Sequence, residues 1–341
     1  MVHAHKALGH TNSSHLAMMM LMHALNGWLK AVRADGLVLA RTRVAGPWGF
    51  AMQPRDAVVF HFVAEGRAFV RQPGAETVKL QAGELVLFPR GDAHEVAHSA
   101  RGKAMSLETF LAKRDGVVDS DPEATTLICG QFNMDQQLAL PALRALPRAV
   151  SVRAGTEPGH SPLSDTLRML RNEVETPNFG NQIVVRNLLS SLFVYFMRDW
   201  ADAASPEANN WFSAVRSPPV ARALARMHEA PGRAWTLEKL AQEAGLSRAA
   251  FARNFHASVG EPPHSYLTRW RMGIAAQLLT ETDLRLNEIA SRVGYRSEFS
   301  FSRAFKLARD VSPSQYRRAA PNSAQAQTTF SARRIGTECI K

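Results

Sequence analysis

The sequence contains only two cysteines and no long hydrophobic run. Cys129 and Cys339 provide too few thiols for a disulfide framework or a zinc motif, which excludes the disulfide-rich secreted proteins and favours a reducing compartment. The longest apolar run, Leu188 to Met197, is interrupted by two serines and is much shorter than the ~20 residues that cross a bilayer. These absences predict a cytoplasmic protein without a membrane segment.

The positive charge of the chain is concentrated in one region. Residues 214–318 contain 17 Lys and Arg against 9 Asp and Glu, whereas residues 1–213 contain 21 against 20. A basic surface on a small helical unit is typical of proteins that bind nucleic acid, although a general bias towards arginine would also make a chain basic. Because the excess lies in one third of the chain, nucleic-acid binding is the favoured interpretation.

With 341 residues, the chain is long enough for two domains. We assign residues 1–26 to an N-terminal extension with the start of a helix, and one of its methionines could be the true first residue. Three histidines near the start, at positions 3, 5 and 10, could bind a metal, but a mobile leader is the preferred interpretation.

Residues 27–135 have the pattern of a β-sandwich or small barrel. Short segments rich in Val, Phe and Leu alternate with turns that contain Gly or Pro. The predicted strands are Leu37–Ala40, Val58–Val63, Ala68–Arg71, Val78–Leu80, Leu85–Phe88 and Thr125–Phe132. A charged connection at residues 112–124 precedes the last of them.

The run AGELVLFPRGDAHEV, residues 82–96, resembles the second motif of the cupin-type sensor domain of AraC-family regulators. Gly83, Pro89, Gly91 and His94 have the spacing of that motif, in which a tight turn lets a histidine point into the barrel. His98 departs from it, since the family usually has Asn there. Gly46-Pro47-Trp48-Gly49 and His61 with Glu65-Gly66 add to the resemblance, which implies a cupin-like sensor domain.

His61 and His94 are the candidate residues of an effector pocket in this domain. A bound transition metal needs several converging donors, but Val63 stands where the cupin motif has another histidine, and Glu65 is expected to serve the hairpin turn. We therefore predict no metal and no cofactor. His61 and His94 are expected to line the pocket or to be hydrogen-bonded in the core.

Residues 136–200 are predicted to be helical. The second helix, about Asn181 to Trp200, is apolar on more than one face and must be covered on both sides. It is either a core helix or a dimerisation helix, and the sequence leaves both open. Residues 201–213 read as a linker because most of them are small or polar.

Residues 235–318 contain the same pattern twice. The first copy has Phe251, Arg253, Phe255, Gly260, Pro263 and Tyr266, and the second repeats these positions 50 residues later with Asp310 in place of the glycine. In each copy an apolar residue, an alanine and a glycine precede the pattern. Thr236 as a helix cap, Gly245 in a turn and Ser247 as the next cap predict a helix-turn-helix unit, which the second copy repeats.

The phenylalanines of each copy are spaced i, i+4 and are expected to be core residues. The remaining positions face outward and are the predicted DNA-binding residues. They are Arg248, Ala249, Ala252 and Arg253 in the first copy, and Arg296, Glu298, Phe299, Ser300, Ser302, Arg303 and Lys306 in the second. The alanine-rich first copy is expected to dock through methyl contacts, and the second to discriminate between bases.

Residues 235–318 closely resemble the DNA-binding domain of the AraC family. The second copy has nearly the complete signature, with Asp310 as the departure, and Asp tolerates a left-handed backbone better than most residues. The DNA-binding domain is assigned to residues 214–318 and a disordered tail to residues 319–341.

The sequence therefore predicts an α+β protein. A cupin-like β-sandwich or barrel is followed by helices and by an all-α domain of two helix-turn-helix units. The predicted function is sequence-specific transcription regulation without enzymatic activity. Its partners are promoter double-stranded DNA, a small-molecule effector, a second copy in a homodimer, and RNA polymerase. The alternatives are a metal-dependent cupin enzyme fused to a DNA-binding domain and an architectural DNA-binding protein without a ligand.

Overall fold

A computed structural model describes residues 22–112, 121, 123–153, 161–176, 178–203 and 211–319. The predicted leader, most of the charged connection, residues 204–210 of the predicted linker and the tail from residue 320 lie outside them. The chain divides into two compact units. Of the described residues, those within Trp28–Ser217 and Ser258–Gly260 form the N-terminal unit, and those within Met1–Gly27, Pro218–Ala257 and Glu261–Lys341 form the C-terminal unit.

A short helix, α1, covers residues 22–32 and precedes two five-stranded sheets. The strands are β1 (Asp35–Val44), β2 (Gly49–Met52), β3 (Val58–Glu65), β4 (Arg67–Arg71), β5 (Val78–Gln81), β6 (Glu84–Phe88), β7 (His94–Ala97), β8 (Met105–Ser106), β9 (Thr125–Asn133) and β10 (Val150–Arg153). The first sheet has the order β1-β9-β3-β6-β10, and the second has the order β5-β4-β7-β2-β8. Side chains from both sheets form one apolar core, which confirms the predicted sandwich.

The strand register aligns a row of inward side chains across the first sheet. Ala40 pairs with Cys129, Cys129 with His61, and His61 with Val86. Because alternate residues of a strand face the same side, Thr42 on β1 and Leu127 on β9 form the next inward row. These two rows form one wall of the interior.

The turn before β7 depends on Gly91. Its φ is +60°, and a β-carbon there would lie 2.0 Å from the carbonyl oxygen of Arg55, so no larger residue fits. The Gly91 oxygen accepts a hydrogen bond from the Arg55 amide at 2.9 Å. As the cupin resemblance implies, this tight turn directs His94 into the sandwich.

Helices flank the sandwich. They are α2 (Leu107–Ala112), α3 (Gln136–Arg144), α4 (Pro162–Glu175), α5 (Asn181–Ala203) and α6 (Trp211–Arg216). In α5, Leu189, Phe193 and Phe196 are buried in the core, whereas Ile183 and Val184 near its N-terminus are exposed. A β-carbon on Gly36 of β1 would lie 2.2 Å from Leu189, so the strand and the helix pack in close contact.

The predicted linker at residues 201–213 needs correction at both ends. Helix α5 continues to Ala203, and α6 begins at Trp211. The apolar side chains explain the difference, because Ala201, Trp211 and Phe212 are all buried. The small and polar composition of the segment therefore hid two helix ends.

The C-terminal unit contains the doubled pattern in seven described helices. They are α7 (Pro218–Glu229), α8 (Leu237–Ala244), α9 (Arg248–Val259), α10 (Pro263–Glu281), α11 (Leu286–Arg292), α12 (Glu298–Arg309) and α13 (Pro313–Ala319). Helices α8 and α9 form the first helix-turn-helix, α11 and α12 form the second, and α10 joins them.

The predicted helix signals are confirmed. Thr236 caps α8 by accepting a hydrogen bond from the Lys239 amide at 3.3 Å, and Ser247 accepts one from the Ala250 amide at 3.3 Å. Gly245 ends α8 with φ of +69°, and its amide donates to carbonyls of the last helical turn. Local residues therefore define the turn of the first helix-turn-helix.

Phe251, Phe255, Phe301 and Phe305 have no exposed surface, which confirms that the repeated phenylalanines are core. Phe255 makes an edge contact with Tyr266 at a centroid distance of 5.7 Å, and Phe305 makes the equivalent contact with Tyr316 at 5.4 Å. The two copies of the sequence pattern therefore repeat the same packing of aromatic side chains.

Asp310 occupies a left-handed conformation, with φ of +61°, at the end of α12. Gly260 has the same role 50 residues earlier, with φ of +85°, and a β-carbon there would meet no atom within 4 Å. Any effect of a side chain at Gly260 therefore comes from the backbone alone.

Replacing Asp310 by Gly should stabilise the C-terminal unit by about 0.5–1 kcal/mol, because glycine adopts this conformation without strain. The matched change Gly260→Ala should destabilise the protein by about 1–2 kcal/mol. Thermal denaturation measures both. A lower melting temperature for Asp310→Gly would mean that the Asp310 side chain stabilises the helix end.

Candidate functional site

Helix α12 presents a polar and basic face opposite its phenylalanines. Arg296, Glu298, Ser300, Arg303 and Lys306 are exposed, and Ser302 is half-buried. Among the described residues, the side chains of Arg296, Arg303 and Lys306 have no ion-pair or hydrogen-bond partner. Their charges are therefore available to an external anion.

Phe299 lies on the same face, at the second position of α12. Its side chain is 79% exposed, which is unusual for a large aromatic residue. The equivalent position in the first unit, 50 residues earlier, is Ala249. The two units thus differ most in size at the start of their second helices.

The face of α9 has fewer free polar groups. Arg248, Ala249 and Arg253 are exposed, and Ala252 is half-buried. Arg248 donates to Glu238 of α8 at 2.7 Å, so its charge is partly compensated. Arg253 makes no ion pair or hydrogen bond within the described residues. The sequence-predicted residues are therefore exposed or half-buried: Arg296 lies in the turn before α12, and the others lie on the second helix of their unit.

Other arginines of this unit serve the fold. Arg222 donates to the carbonyls of Glu243 and Ala244 at the end of α8. Arg271 of α10 donates to the carbonyl of Pro231 at 2.8 Å, and Arg317 donates to that of Leu279 at 3.2 Å. The arginines of the unit thus differ in role: some bind backbone carbonyls, some pair with glutamates as Arg248 does with Glu238, and some have side chains without a partner among the described residues.

The N-terminal unit contains a cavity between its sheets, with α2 on one side. Its walls include Phe50, Val59, Phe110 and Leu127, together with His61. The empty space, including its mouth, is about 490 Å³. His61 therefore lines the cavity, whereas His94, the other predicted pocket residue, is not among its lining residues.

His61 and His94 form a hydrogen bond across the sandwich. His61 lies on β3 of one sheet and His94 on β7 of the other, and their Nε2 atoms are 2.8 Å apart. Nδ1 of His94 is 2.7 Å from the Asp92 carbonyl oxygen, and Nδ1 of His61 is 2.9 Å from Sγ of Cys129. The pair is thus part of a chain of four residues.

The direction of every hydrogen bond in this chain follows from the carbonyl at its end. Because a carbonyl oxygen only accepts, His94 Nδ1 must carry the hydrogen, and its Nε2 must then accept from His61 Nε2. His61 Nδ1 in turn accepts from the Cys129 thiol. We call this arrangement the Cys129–His61–His94 chain.

All three side chains of this chain are held neutral. Burial, and then the neighbouring His94, keeps the pKa of His61 well below its usual value. Burial lowers the pKa of His94 to about 4 and raises the pKa of the Cys129 thiol to about 12. A neutral chain matches its apolar surroundings.

The donor set does not converge on a point where a metal would bind. The two ring nitrogens of His61 face different partners, Cys129 and His94, so one ion cannot be held by all three residues. Glu65 instead pairs with Arg43 and accepts from Thr126 at 2.9 Å, and Nδ1 of His98 is 2.9 Å from the Trp48 carbonyl. Within the described ranges, no group of three or more His, Cys, Asp or Glu could hold a metal.

The sequence missed Cys129 and Thr42 as cavity residues. Both line the cavity, and Cys129 is the partner of His61. Cys129 lies on the inward face of β9, but its neighbour on β3 lies 68 positions earlier in the chain. Only the strand register reveals this pairing.

Comparisons with known proteins identify the same two parts. A family model described as "Cupin" matches residues 23–202, and one described as "Helix-turn-helix domain" matches residues 240–319. The HTH-type transcriptional regulator AlkR of Acinetobacter baylyi is 31% identical over 283 residues, which are 81% of this chain and 92% of that protein. A putative AraC-like transcription regulator of Streptomyces antibioticus is 28% identical, over 83% of this chain and 97% of that protein. The chain belongs to the AraC-type transcriptional regulators.

A further relative within this family is the RCS-specific activator RclR of Escherichia coli, 29% identical over 77% of this chain and 84% of that protein. Among solved structures, the C-terminal domain of AraT, a response regulator from Geobacillus stearothermophilus, is 41% identical over 30% of this chain and 85% of that chain, with a TM-score of 0.29. No helix in the described part of this AraC-type chain has the length and apolar character needed to cross a membrane.

Replacing His94 alone by Leu should cost about 1–3 kcal/mol of folding free energy, because the His61 Nε2 hydrogen then has no acceptor in the core. The double variant His61→Leu/His94→Leu should recover most of this loss, since both members of the pair become apolar. Urea denaturation at neutral pH measures the difference. Equal losses in the single and double variants would contradict the deduced bond.

Low pH should reduce the folding stability of the wild type more than that of the double variant. The pKa values of both histidines are lowered in the folded state, so the unfolded state binds more protons and stability falls as the pH falls below about 6.5 towards 4. Burial also lowers the pKa of His228 in the C-terminal unit, to about 3. Because His228 is present in both proteins, its contribution cancels when the wild type is compared with the double variant. The same denaturation experiment, repeated at about pH 7 and about pH 5, measures this difference.

Proposed function

We propose that this AraC-type chain is a cytoplasmic regulator that binds promoter DNA through α9 and α12 and responds to a small molecule in the cavity. The observation that carries the DNA-binding part is the exposed face of α12. There, Arg296, Arg303 and Lys306 have no partner within the described residues, while the buried Phe301 and Phe305 fix the helix from behind. A second helix of a helix-turn-helix enters the major groove.

The two faces are proposed to contribute differently. Arg253 and the methyl groups of Ala249 and Ala252 would dock α9 against the DNA backbone and the groove wall. Arg303, one helical turn after Phe299 on α12, would contact base edges, since arginine makes bidentate hydrogen bonds to guanine. The second unit would therefore set most of the sequence preference.

Phe299 is proposed to read thymine. The N-terminal residues of a recognition helix lie nearest the base edges, and the thymine C5-methyl group is the apolar group that the major groove offers. An aromatic side chain that is 79% exposed in the free protein gains apolar burial on such a methyl group. Ala249, its counterpart in α9, is too short for the same contact.

The protein should bind its own upstream DNA more tightly than random DNA, with an affinity that falls as salt rises. The logarithm of the association constant should fall by about 0.9 for each phosphate neutralised per tenfold rise in salt. Replacing Arg303 by Ala should weaken specific binding between about fivefold and a hundredfold, whereas Arg253→Ala should weaken specific and random binding alike. Fluorescence anisotropy measures both.

Lys79→Ala, a change of equal charge on β5, is the control for this experiment. Binding that is equally weakened by Lys79→Ala and Arg303→Ala would mean that net charge, and not the face of α12, controls affinity. Binding of the wild type that does not distinguish upstream from random DNA would refute sequence-specific regulation.

Deoxyuridine in place of one thymine should weaken wild-type binding about fourfold, the factor for one buried methyl-sized group. The same substitution should leave the Phe299→Ala variant unaffected. Leu307→Ala removes another exposed apolar side chain of α12, 86% exposed, and should retain the thymine dependence. If no single deoxyuridine substitution weakens binding of the wild type more than binding of Phe299→Ala, Phe299 does not read a methyl group.

A further inference from the structure

The cavity wall is almost entirely apolar. Apart from Thr42, His61 and Cys129, its lining residues are glycine, alanine, aliphatic residues, methionine or phenylalanine, and none of the lining residues carries a charge. A charged ligand would have to lose its hydration without gaining a counter-charge, which costs several kcal/mol or more by the usual scale of such transfers. The wall therefore selects against ions.

The histidine in the wall has no free nitrogen to offer a ligand. Nε2 of His61 donates to His94, and Nδ1 accepts from Cys129, so both positions are occupied. The ring is also fixed between Phe50 and Phe88 by edge contacts at centroid distances of 5.7 and 5.9 Å. His61 therefore contributes ring surface, not a hydrogen bond, to whatever enters the cavity.

Thr42, unlike His61, has a side-chain group that is available for a hydrogen bond to a ligand. Its side chain is 4% exposed and lies on the inward face of β1, and its hydroxyl group makes no hydrogen bond to any described residue. Its neighbour in the row is the apolar Leu127. A hydroxyl group can both donate and accept, so Thr42 has hydrogen-bonding capacity for a ligand.

We propose that the cavity binds a neutral, mostly apolar molecule with a single hydrogen-bonding group, which pairs with the Thr42 hydroxyl. This inference rests on the small-molecule part of the proposed function and is independent of DNA binding. Sugars, amino acids and carboxylates are excluded as a class, since each brings several polar groups or a charge to a wall with one free partner.

Aromatic rings suit the apolar lining of the site, which contains two phenylalanines. Phe110 of α2 and Phe50 of β2 face each other with centroids 4.9 Å apart, and both line the cavity. Leu107 and Leu111 of the six-residue helix α2 complete this side. Apolar cavities lined by such residues bind benzene, so benzene and its simple derivatives are suitable probes.

The test is a titration of the full-length protein with benzene, phenol, benzoate and glucose by isothermal calorimetry. Phenol should bind about threefold to tenfold more tightly than benzene, the usual range for one added hydrogen bond. Benzoate and glucose should show no binding. Benzoate that binds as tightly as phenol would overturn the proposal, and so would the absence of any binding by benzene and phenol.

Thr42→Val, which has nearly the same shape as threonine, separates the hydroxyl from the cavity. In this variant the affinity for phenol should fall to that for benzene, and the affinity for benzene should not change. Phenol binding that survives Thr42→Val at full strength would refute the role of Thr42.

A second variant, Ala40→Leu, fills the cavity from the neighbouring position of β1 and should abolish binding of both probes. Retained binding by folded Ala40→Leu would place the probes elsewhere and overturn the proposal. If this variant does not fold, the ratio of the affinities for phenol and benzene in Thr42→Val still decides.

DNA binding of the full-length protein is measured on the same preparation. Intact DNA binding without probe binding refutes this inference alone. Lost DNA binding with intact probe binding refutes only the proposed function.

Discussion

The rule that most buried polar groups are hydrogen-bonded constrains both units of this protein. In the N-terminal unit it fixes a single direction for the Cys129–His61–His94 chain, because the Asp92 carbonyl at one end can only accept. The chain joins the two sheets through the bond between His61 and His94, 2.8 Å long. It also consumes the ring nitrogens of His61. The interior therefore remains neutral, and the free hydrogen-bonding capacity of the cavity wall is left to Thr42.

The same rule explains how a basic unit can expose a selective surface. Arg222, Arg271 and Arg317 use their guanidinium groups to bind carbonyls at helix ends and loops, where backbone acceptors lack partners. The pKa of His228 is lowered by burial, so it stays neutral, and it lies 2.7 Å from the Tyr266 hydroxyl. Arginines held on backbone carbonyls have fewer N–H groups left for DNA. The net positive charge of the sequence therefore overstates the number of cations available to a phosphate.

Local signals made most of the fold predictable. Thr236, Gly245 and Ser247 act within a few residues of their own position, and the phenylalanine pairs are spaced by one helical turn, so both could be read from the sequence. The strands β2 and β7 and the pairing of Cys129 with His61 could not, because they depend on strand neighbours that are distant in the chain. Cavities have no sequence signal at all. The cupin resemblance predicted an inward histidine, but the role of Thr42 follows only from the register of β1.

The doubled pattern repeats packing but varies the exposed surface. The phenylalanines are completely buried in both copies, so a stable fold requires them equally in each copy. No such constraint acts on the outward positions, where Ala249 in one copy corresponds to Phe299 in the other. Even the helix ends follow this division: Gly260 and Asp310 adopt the same left-handed backbone because the turn requires it, although the side chains differ. A fold that is fixed by buried residues leaves each copy free to acquire its own contacts, and the two unequal readers that we propose would distinguish the two orientations of a DNA site.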